Sequence, residues 1–309
     1  MNGLVAFGHS GGFNSHFVWV DREGKPAGDL DISGDVGEPR ISPDQTTIAF
    51  SRRINGNFDV WLYDSVRGGR PRPFASGPGT ENHAIWSSDG SRLIYHSQQQ
   101  PRSNHLVVER PVSLGPETIL IKGPPGVGAA SAIFPRQSSH NGHWLIVEAN
   151  TQNVNGRIEL LSREESAKRV PIAEGHSERN GSISPDGRWL VYSAQLASQT
   201  DIFVRPLPKE AGGPPNVVGV FPIPISTAGG TQPAWSADGK DIFYVAPDDQ
   251  MMAVPVEAGD SLFQPGLPRA LFQTRISQAS ITASTTSART ASAFSSTNPW
   301  VMPRSPQSL

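Results

Sequence analysis

The chain has 309 residues with a formal charge of −2, 17% charged residues, 31 glycines, 28 prolines and no cysteine. Lack of cysteine excludes a disulfide framework, a thiolate nucleophile, an iron–sulfur cluster and a cysteine zinc site. The near-neutral charge excludes the basic surface of a nucleic-acid binder and a polybasic membrane anchor.

Glycine and proline make about a fifth of the chain and are spread along it, so turns are frequent and strands short. No run of about 18 apolar residues occurs, so no transmembrane helix and no direct membrane insertion are expected. The start, Met1 to Gly12, lacks a cationic segment followed by a long apolar core, so it does not read as a signal peptide. As written the chain is expected in the cytoplasm, or in an extracytoplasmic or periplasmic place if it is a fragment of a larger membrane-anchored protein.

One unit recurs along the chain. It begins as Met1-Asn2-Gly3 followed by Leu4-Val5-Ala6-Phe7. It returns as Ile41-Ser42-Pro43-Asp44 with Ile48-Ala49-Phe50, and as Trp86-Ser87-Ser88-Asp89-Gly90 with Leu93-Ile94-Tyr95. A degraded copy, Ser139-His140-Asn141-Gly142 with Leu145-Ile146-Val147, comes next. Ile183-Ser184-Pro185-Asp186-Gly187 with Leu190-Val191-Tyr192, and Trp235-Ser236-Ala237-Asp238-Gly239 with Ile242-Phe243-Tyr244, complete the series. The turn acids or amides fall at 2, 44, 89, 141, 186 and 238, at intervals of 42 to 52 residues.

Serine accepts a backbone bond at the first turn position, proline pre-sets φ, aspartate tolerates the next conformation, and glycine supplies φ > 0. The apolar triplet after each turn reads as a strand buried on both faces. A second strand comes after it, as in Phe17–Val20, Asp59–Tyr63, Leu106–Val108, Arg157–Leu160, Asp201–Val204 and Met251–Val254. A shorter one succeeds that, as in Arg72–Phe74, Thr118–Leu120, Val170–Ile172 and Ala270–Phe272. With the strand before the turn, each unit holds four strands, which is a propeller blade. The spacing therefore predicts an all-β, six-bladed β-propeller over residues 1–276. Its first unit lacks the strand before the turn, and residues around Gln273 to Ile281 are expected to supply it. Residues 277–309, rich in Ser, Thr, Ala and Pro with Arg289 and Arg304 as their only charges, are expected to be mostly disordered.

The Trp-Ser-x-Asp-Gly turn followed by an apolar-apolar-aromatic strand resembles the WD-repeat-like propellers of the TolB family. Phe17-Val18-Trp19-Val20-Asp21-Arg22-Glu23-Gly24-Lys25 and Leu271-Phe272-Gln273-Thr274-Arg275 are similar to the C-terminal propeller regions of bacterial serine/threonine protein kinases and their kinase-free relatives. That resemblance implies a sensor or protein-interaction domain, commonly outside the cytoplasmic membrane. No Gly-rich phosphate loop, His-Arg-Asp loop or Asp-Phe-Gly is present, so kinase activity does not carry over. The resembling regions continue past Thr274-Arg275-Ile276 with a further strand and Asp-Gly turn, where this chain has its Ser/Thr/Ala tail.

Several motifs invite a chemical reading. Gly8-His9-Ser10-Gly11-Gly12 satisfies Gly-x-Ser-x-Gly, but a nucleophile elbow needs a helix after it. Residues Phe13 to Trp19 read instead as a loop entering a strand, so a hairpin is expected. His140 and His143 share a degraded turn without a third ligand, and read as solvated. Gly123 to Gly128 lacks the Lys-Ser/Thr of a phosphate loop and reads as a linker. Arg67 to Arg72 reads as a solvated basic loop. Trp86, Trp144, Trp189 and Trp235 are expected in the core.

One candidate site remains. Residues just before the innermost strands should gather at one mouth of the central channel: Glu38, Arg40, Asn82, His83, Arg136, Arg179, Asn180 and Gln232. The expected function is a non-catalytic binding propeller with a protein or peptide partner, no cofactor and no metal. The alternative is a serine hydrolase, or a peptidase-associated propeller, using the Ser10 motif.

Overall fold

Each repeat is pinned by its serine. Ser42 Oγ donates to Asp44 Oδ1 at 2.5 Å and accepts from the Thr47 amide at 2.9 Å, bracing both sides of the turn. Ser87, Ser139, Ser184 and Ser236 repeat this with Asp89, Asn141, Asp186 and Asp238 at 2.5–2.7 Å. Their hydroxyls accept from the amides of Arg92, Trp144, Trp189 and Asp241 at 2.9–3.0 Å. Gly90, Gly142, Gly187 and Gly239 then take φ of 71–75°, as a glycine bulge requires. In the second repeat Gln45 stands in that place at φ 64°.

These turns organise a computed structural model that describes residues 4–10, 14–21, 23–99, 104–123, 132–150, 156–163, 169–172, 177–207, 222–259 and 262–274. The first blade is β1 (Leu4–Ser10), β2 (Asn14–Val20) and β3 (Pro26–Gly34). The second is β4 (Val36–Ile41), β5 (Thr47–Ile54), β6 (Asn57–Asp64) and β7 (Arg72–Ala75). The third is β8 (Thr80–Trp86), β9 (Arg92–Gln98), β10 (Leu106–Pro111) and β11 (Thr118–Lys122). The fourth is β12 (Ile133–Ser138), β13 (Trp144–Ala149), β14 (Arg157–Ser162) and β15 (Arg169–Pro171). The fifth is β16 (Ser177–Ile183), β17 (Trp189–Leu196), β18 (Gln199–Pro206) and β19 (Ile223–Pro224). The sixth is β20 (Thr231–Trp235), β21 (Asp241–Val245) and β22 (Gln250–Ala258), with β23 (Phe263–Pro265) and β24 (Arg269–Gln273) both pairing β22. Within each sheet the strands are antiparallel neighbours in chain order, β24 excepted. Among the described residues no helix is long and apolar enough to cross a membrane.

Apolar side chains from successive blades interlock. Leu62 and Phe74 of the second blade meet Trp86 and Tyr95 of the third. Ile94 meets Leu145, and Ile146 meets Leu190, at the next two seams. Val191 and Ile202 of the fifth blade pack with Trp235 and Ile242 of the sixth. Phe17 and Leu30 of the first blade share one cluster with Phe243 and Val245 of the sixth and Phe50 of the second, so the ring closes through its core. Trp86, Trp144, Trp189 and Trp235 are all buried, as the sequence led us to expect. Two of them also tie neighbouring blades together. Trp86 Nε1 donates to the Arg40 carbonyl at 2.9 Å, and Trp235 Nε1 to the Ser182 carbonyl at 3.1 Å.

Only the first two residues of the expected closing strand, Gln273 and Thr274, are among the described residues. Gln273 belongs to β24, where it pairs with Gln250 of β22 and so extends the sixth blade rather than the first. Among the described residues the first blade has three strands. The rest of the expected closing strand, and the tail expected to be disordered, lie outside the described residues.

Candidate functional site

The innermost strands carry a repeated irregularity. Four residues before the turn serine, Glu38, His83, Asn180 and Gln232 each have φ of 53–56°, a left-handed conformation unusual for residues other than glycine. The strand register slips beside each of them, between Gly37 and Arg40, Asn82 and Ile85, Arg179 and Ser182, and Thr231 and Ala234. These are β-bulges, which re-aim side chains at the rims of closed sheets. In the fourth blade the same position is Pro135, whose ring cannot take positive φ. There the slip moves one residue on, to Arg136. The candidate mouth residues therefore lie within the innermost strands, at their bulges, and not before them.

The bulges bring four blades into one polar network. His83 Nδ1 lies 2.7 Å from Glu38 Oε1, and the His83 amide donates to Glu38 Oε2 at 2.9 Å. Ser51 Oγ donates to the same oxygen at 2.7 Å. An ionised carboxylate only accepts, so Nδ1 of His83 carries the proton. Arg136 Nε donates to Glu148 Oε2 at 2.9 Å, and its NH1 approaches His83 Nδ1 at 3.5 Å. The Asn180 amide donates to Glu148 Oε2 at 3.2 Å. Glu38, His83, Arg136, Glu148 and Asn180 thus form one chain of contacts from the second blade to the fifth.

The network is buried as well as charged. Glu38 is 8% exposed, Arg136 9% and Glu148 2%. Burial pushes the Glu38 carboxyl up, but His83, Ser51 and Arg136 outweigh it and hold that group well below the usual carboxylate range. Burial likewise opposes ionisation of Glu148, and Arg136 and Arg179 overcome it. Both carboxylates are ionised at neutral pH.

Arg40 is a different case. Burial, with a smaller push from Arg136, lowers its guanidinium to about 9, against a partial rescue by Glu38. Its NH1 donates only to the neighbouring Pro39 carbonyl at 3.2 Å, and its buried Nε has no partner. Gln232 also joins none of these contacts among the described residues, and its buried Oε1 is unpartnered.

Behind the rim, Asn82 leads inward. Its Oδ1 lies 2.8 Å from His96 Nδ1, His96 Nε2 lies 2.8 Å from His105 Nδ1, and His105 Nε2 lies 3.3 Å from Gln98 Nε2. One arrangement satisfies every atom, with Gln98 donating to His105, His105 to His96, and His96 to Asn82. Burial, and then His83 and His105, hold His96 well below the ordinary imidazole range, so it is neutral. Phe134 separates this chain from the rim, with its ring centroid 4.3 Å from His83 and 5.0 Å from His96.

Sequence reasoning missed Glu148, Ser51, His96 and Phe134. Glu148 had a signal: it is the one charge in the otherwise apolar strand Leu145 to Ala149.

The other motifs resolve simply. Gly8 to Ser10 end β1, which pairs antiparallel with β2 as far as Ser10 opposite Asn14, so the next described element after the serine is a strand. His140 and His143 are exposed on their turn, as are Arg67 and Arg70 on the link from β6 to β7 and Arg72 at the start of β7. Among the described residues no group of three or more metal-ligating side chains is placed to hold an ion. A cavity of about 270 Å³ lies at the opposite, turn end of the fifth and sixth blades, lined by Asp186, Arg188, Trp235 and Lys240. It is separate from the mouth, and Arg188 there pairs with Asp186 at 2.6 Å.

No family model matches the chain. An uncharacterized peptidase of Bacillus subtilis (strain 168), YuxL, is 23% identical over 211 residues, covering 57% of this chain and 32% of that protein. The chain therefore spans about a third of the curated relative it matches. A putative TolB from Agrobacterium tumefaciens superposes with a TM-score of 0.60 at 15% identity, covering 88% of this chain and 89% of that one. TolB from Acinetobacter baumannii gives 0.59 at 13% identity, covering 87% and 66%. At such identities the likeness is one of architecture, and it agrees with the six sheets, the turn chemistry and the closed core: the chain is a TolB-like six-bladed β-propeller.

Proposed function

We propose that this propeller is a non-catalytic binding module that takes a protein or peptide partner at the bulged mouth of its channel. The observation that carries the reading is the chain of contacts from Glu38 through His83, Arg136 and Glu148 to Asn180. Each strained, left-handed residue costs of order 1–3 kcal/mol, and such strain clusters at functional sites. Here it recurs at the same position in four blades, and three of these residues, Glu38, His83 and Asn180, enter the network. Most of these charges neutralise one another, which suits recognition by shape and hydrogen bonding more than nucleophilic attack. His83, the histidine nearest a carboxylate, is engaged by Glu38 and has no hydroxyl nucleophile against it in the contacts described. A sensor or interaction role in a bacterial signalling or cell-envelope protein fits such a module.

A second reading rests on the peptidase relative: the ring serves as the propeller portion of a longer peptidase-like chain. One experiment tests the binding reading and a nucleophilic Ser10. Wild-type protein and a variant carrying Arg40→Met, His83→Ala and Arg179→Ala are used as baits against an extract of the source cells, and both are treated with a fluorophosphonate probe. The binding reading expects a partner captured by wild type alone and no labelling. Labelling lost in Ser10→Ala, or equal capture by both baits, contradicts it.

A further inference from the structure

Arg40 is 2% exposed, and among the described residues it faces no carboxylate within ion-pair distance. Of its five N–H donors only NH1 has an acceptor among the described residues, the Pro39 carbonyl at 3.2 Å, and Nε is buried without one. A buried charge left in this state is costly, and proteins keep such groups where something else completes them. The neighbouring carboxylates are committed elsewhere: Glu38 to His83 and Ser51, Glu148 to Arg136 and the Asn180 amide.

We propose that Arg40 is the seat for a carboxylate of the bound partner, specifically the C-terminal carboxylate of an extended peptide inserted through the mouth. The inference rests on the binding reading above and names the chemistry of the ligand.

Three features select that chemistry. The acids of the cluster, Glu38 and Glu148, are engaged by His83, Ser51, Arg136 and the Asn180 amide, so among the described contacts Arg40 lacks a negative charge of its own. A planar, singly charged carboxylate supplies that charge and matches the guanidinium fork in a bidentate pair. A phosphate dianion would overshoot it beside Glu38. Finally, Arg40 lies two residues nearer the turn end of β4 than Glu38, beneath the rim, so a thin chain end reaches it more readily than a side chain on a folded surface.

The test uses N-acetyl-tetraglycine as free acid and as carboxamide, with acetate and inorganic phosphate as small probes at matched ionic strength, read by calorimetry and thermal melting. The free acid is expected to bind at least tenfold tighter than the amide, acetate to raise the melting temperature, and phosphate to do no more than chloride. Arg40→Met should raise the melting temperature of the ligand-free protein by removing an unpaired charge, and should abolish the acid–amide difference. Arg40→Lys should retain part of it. Equal behaviour of acid and amide, including no binding by either, overturns the proposal, as does undiminished discrimination in Arg40→Met. Phosphate binding tighter than the acid overturns it in favour of a phosphate site. Failure here, with partner capture still lost in His83→Ala, leaves the binding mouth standing and removes only its carboxylate seat.

Discussion

Glu38 and His83 come from different blades, yet the carboxylate takes both the ring proton and the main-chain amide of the histidine, at 2.7 and 2.9 Å. Each residue sits on its own bulge in the left-handed conformation, so the pair joins two irregular positions across a seam. Removing one partner of a buried pair costs on the order of 3–5 kcal/mol. Glu38→Ala should lower stability by that amount in denaturant unfolding. The depressed folded value of Glu38 sets a pH dependence. Its contribution is complete above the ordinary unfolded carboxylate pKa and fades as pH falls toward the folded value. In Glu38→Gln this part of the acid-induced loss of stability should disappear, and an unchanged acid limb would contradict it.

Glu81 behaves in the opposite sense. Burial, with the nearby Asp59 charge, raises its carboxyl to about 7, and its Oε2 has no partner. A raised carboxylate means that the folded chain holds a proton the unfolded chain releases, so stability falls as pH rises from the unfolded value to about 7. Glu81→Gln should leave the melting temperature unchanged near pH 4 and raise it at pH 8. Equal melting shifts at both pH values would contradict this.

Trp86 ties the third blade to the second through the Arg40 carbonyl. Trp86→Phe keeps an aromatic in the seam but removes this bond between blades, at a cost of about 0.5–1.5 kcal/mol. Trp235→Phe should show a similar loss through the Ser182 carbonyl. Urea unfolding of the two single variants checks this, with the double variant expected to be additive because the seams are separate.

Gln45 stands where the other repeats have glycine, at φ 64°. A left-handed conformation costs a non-glycine residue about 1–2 kcal/mol, partly offset by the chain entropy glycine gives up. Gln45→Gly should therefore stabilise the protein by up to about 1 kcal/mol. Gly187→Ala, at φ 75° with open space around a new Cβ, should destabilise it by about 1–2 kcal/mol through the backbone alone. Thermal melting of the two variants checks both signs.

The fold was legible because its punctuation is chemical and local. Ser-Pro-Asp-Gly specifies a turn within four residues, and the apolar triplets after it specify strands buried on both faces. The mouth was legible only as a set of separate residues, since hydrogen bonds between blades join positions far apart in the chain, such as Glu38 and His83. Bulges carry no turn signature, so the positive φ at Glu38 and Gln232 could not be read from residue type. Pro135 is the exception in principle, because its ring forbids the conformation its counterparts adopt and moves the bulge to Arg136. Of the segment expected to close the first blade only Gln273 is placed in a strand, and its pairing with Gln250 assigns it to the sixth blade.

The central claim is that the bulged mouth is where a partner binds, and a peptide library selected on the immobilised wild-type ring tests it most directly. Selected peptides should compete with one another and lose at least tenfold in affinity for folded His83→Ala and Arg179→Ala variants. Peptides that bind those variants as tightly as wild type would place recognition elsewhere on the molecule and contradict the claim.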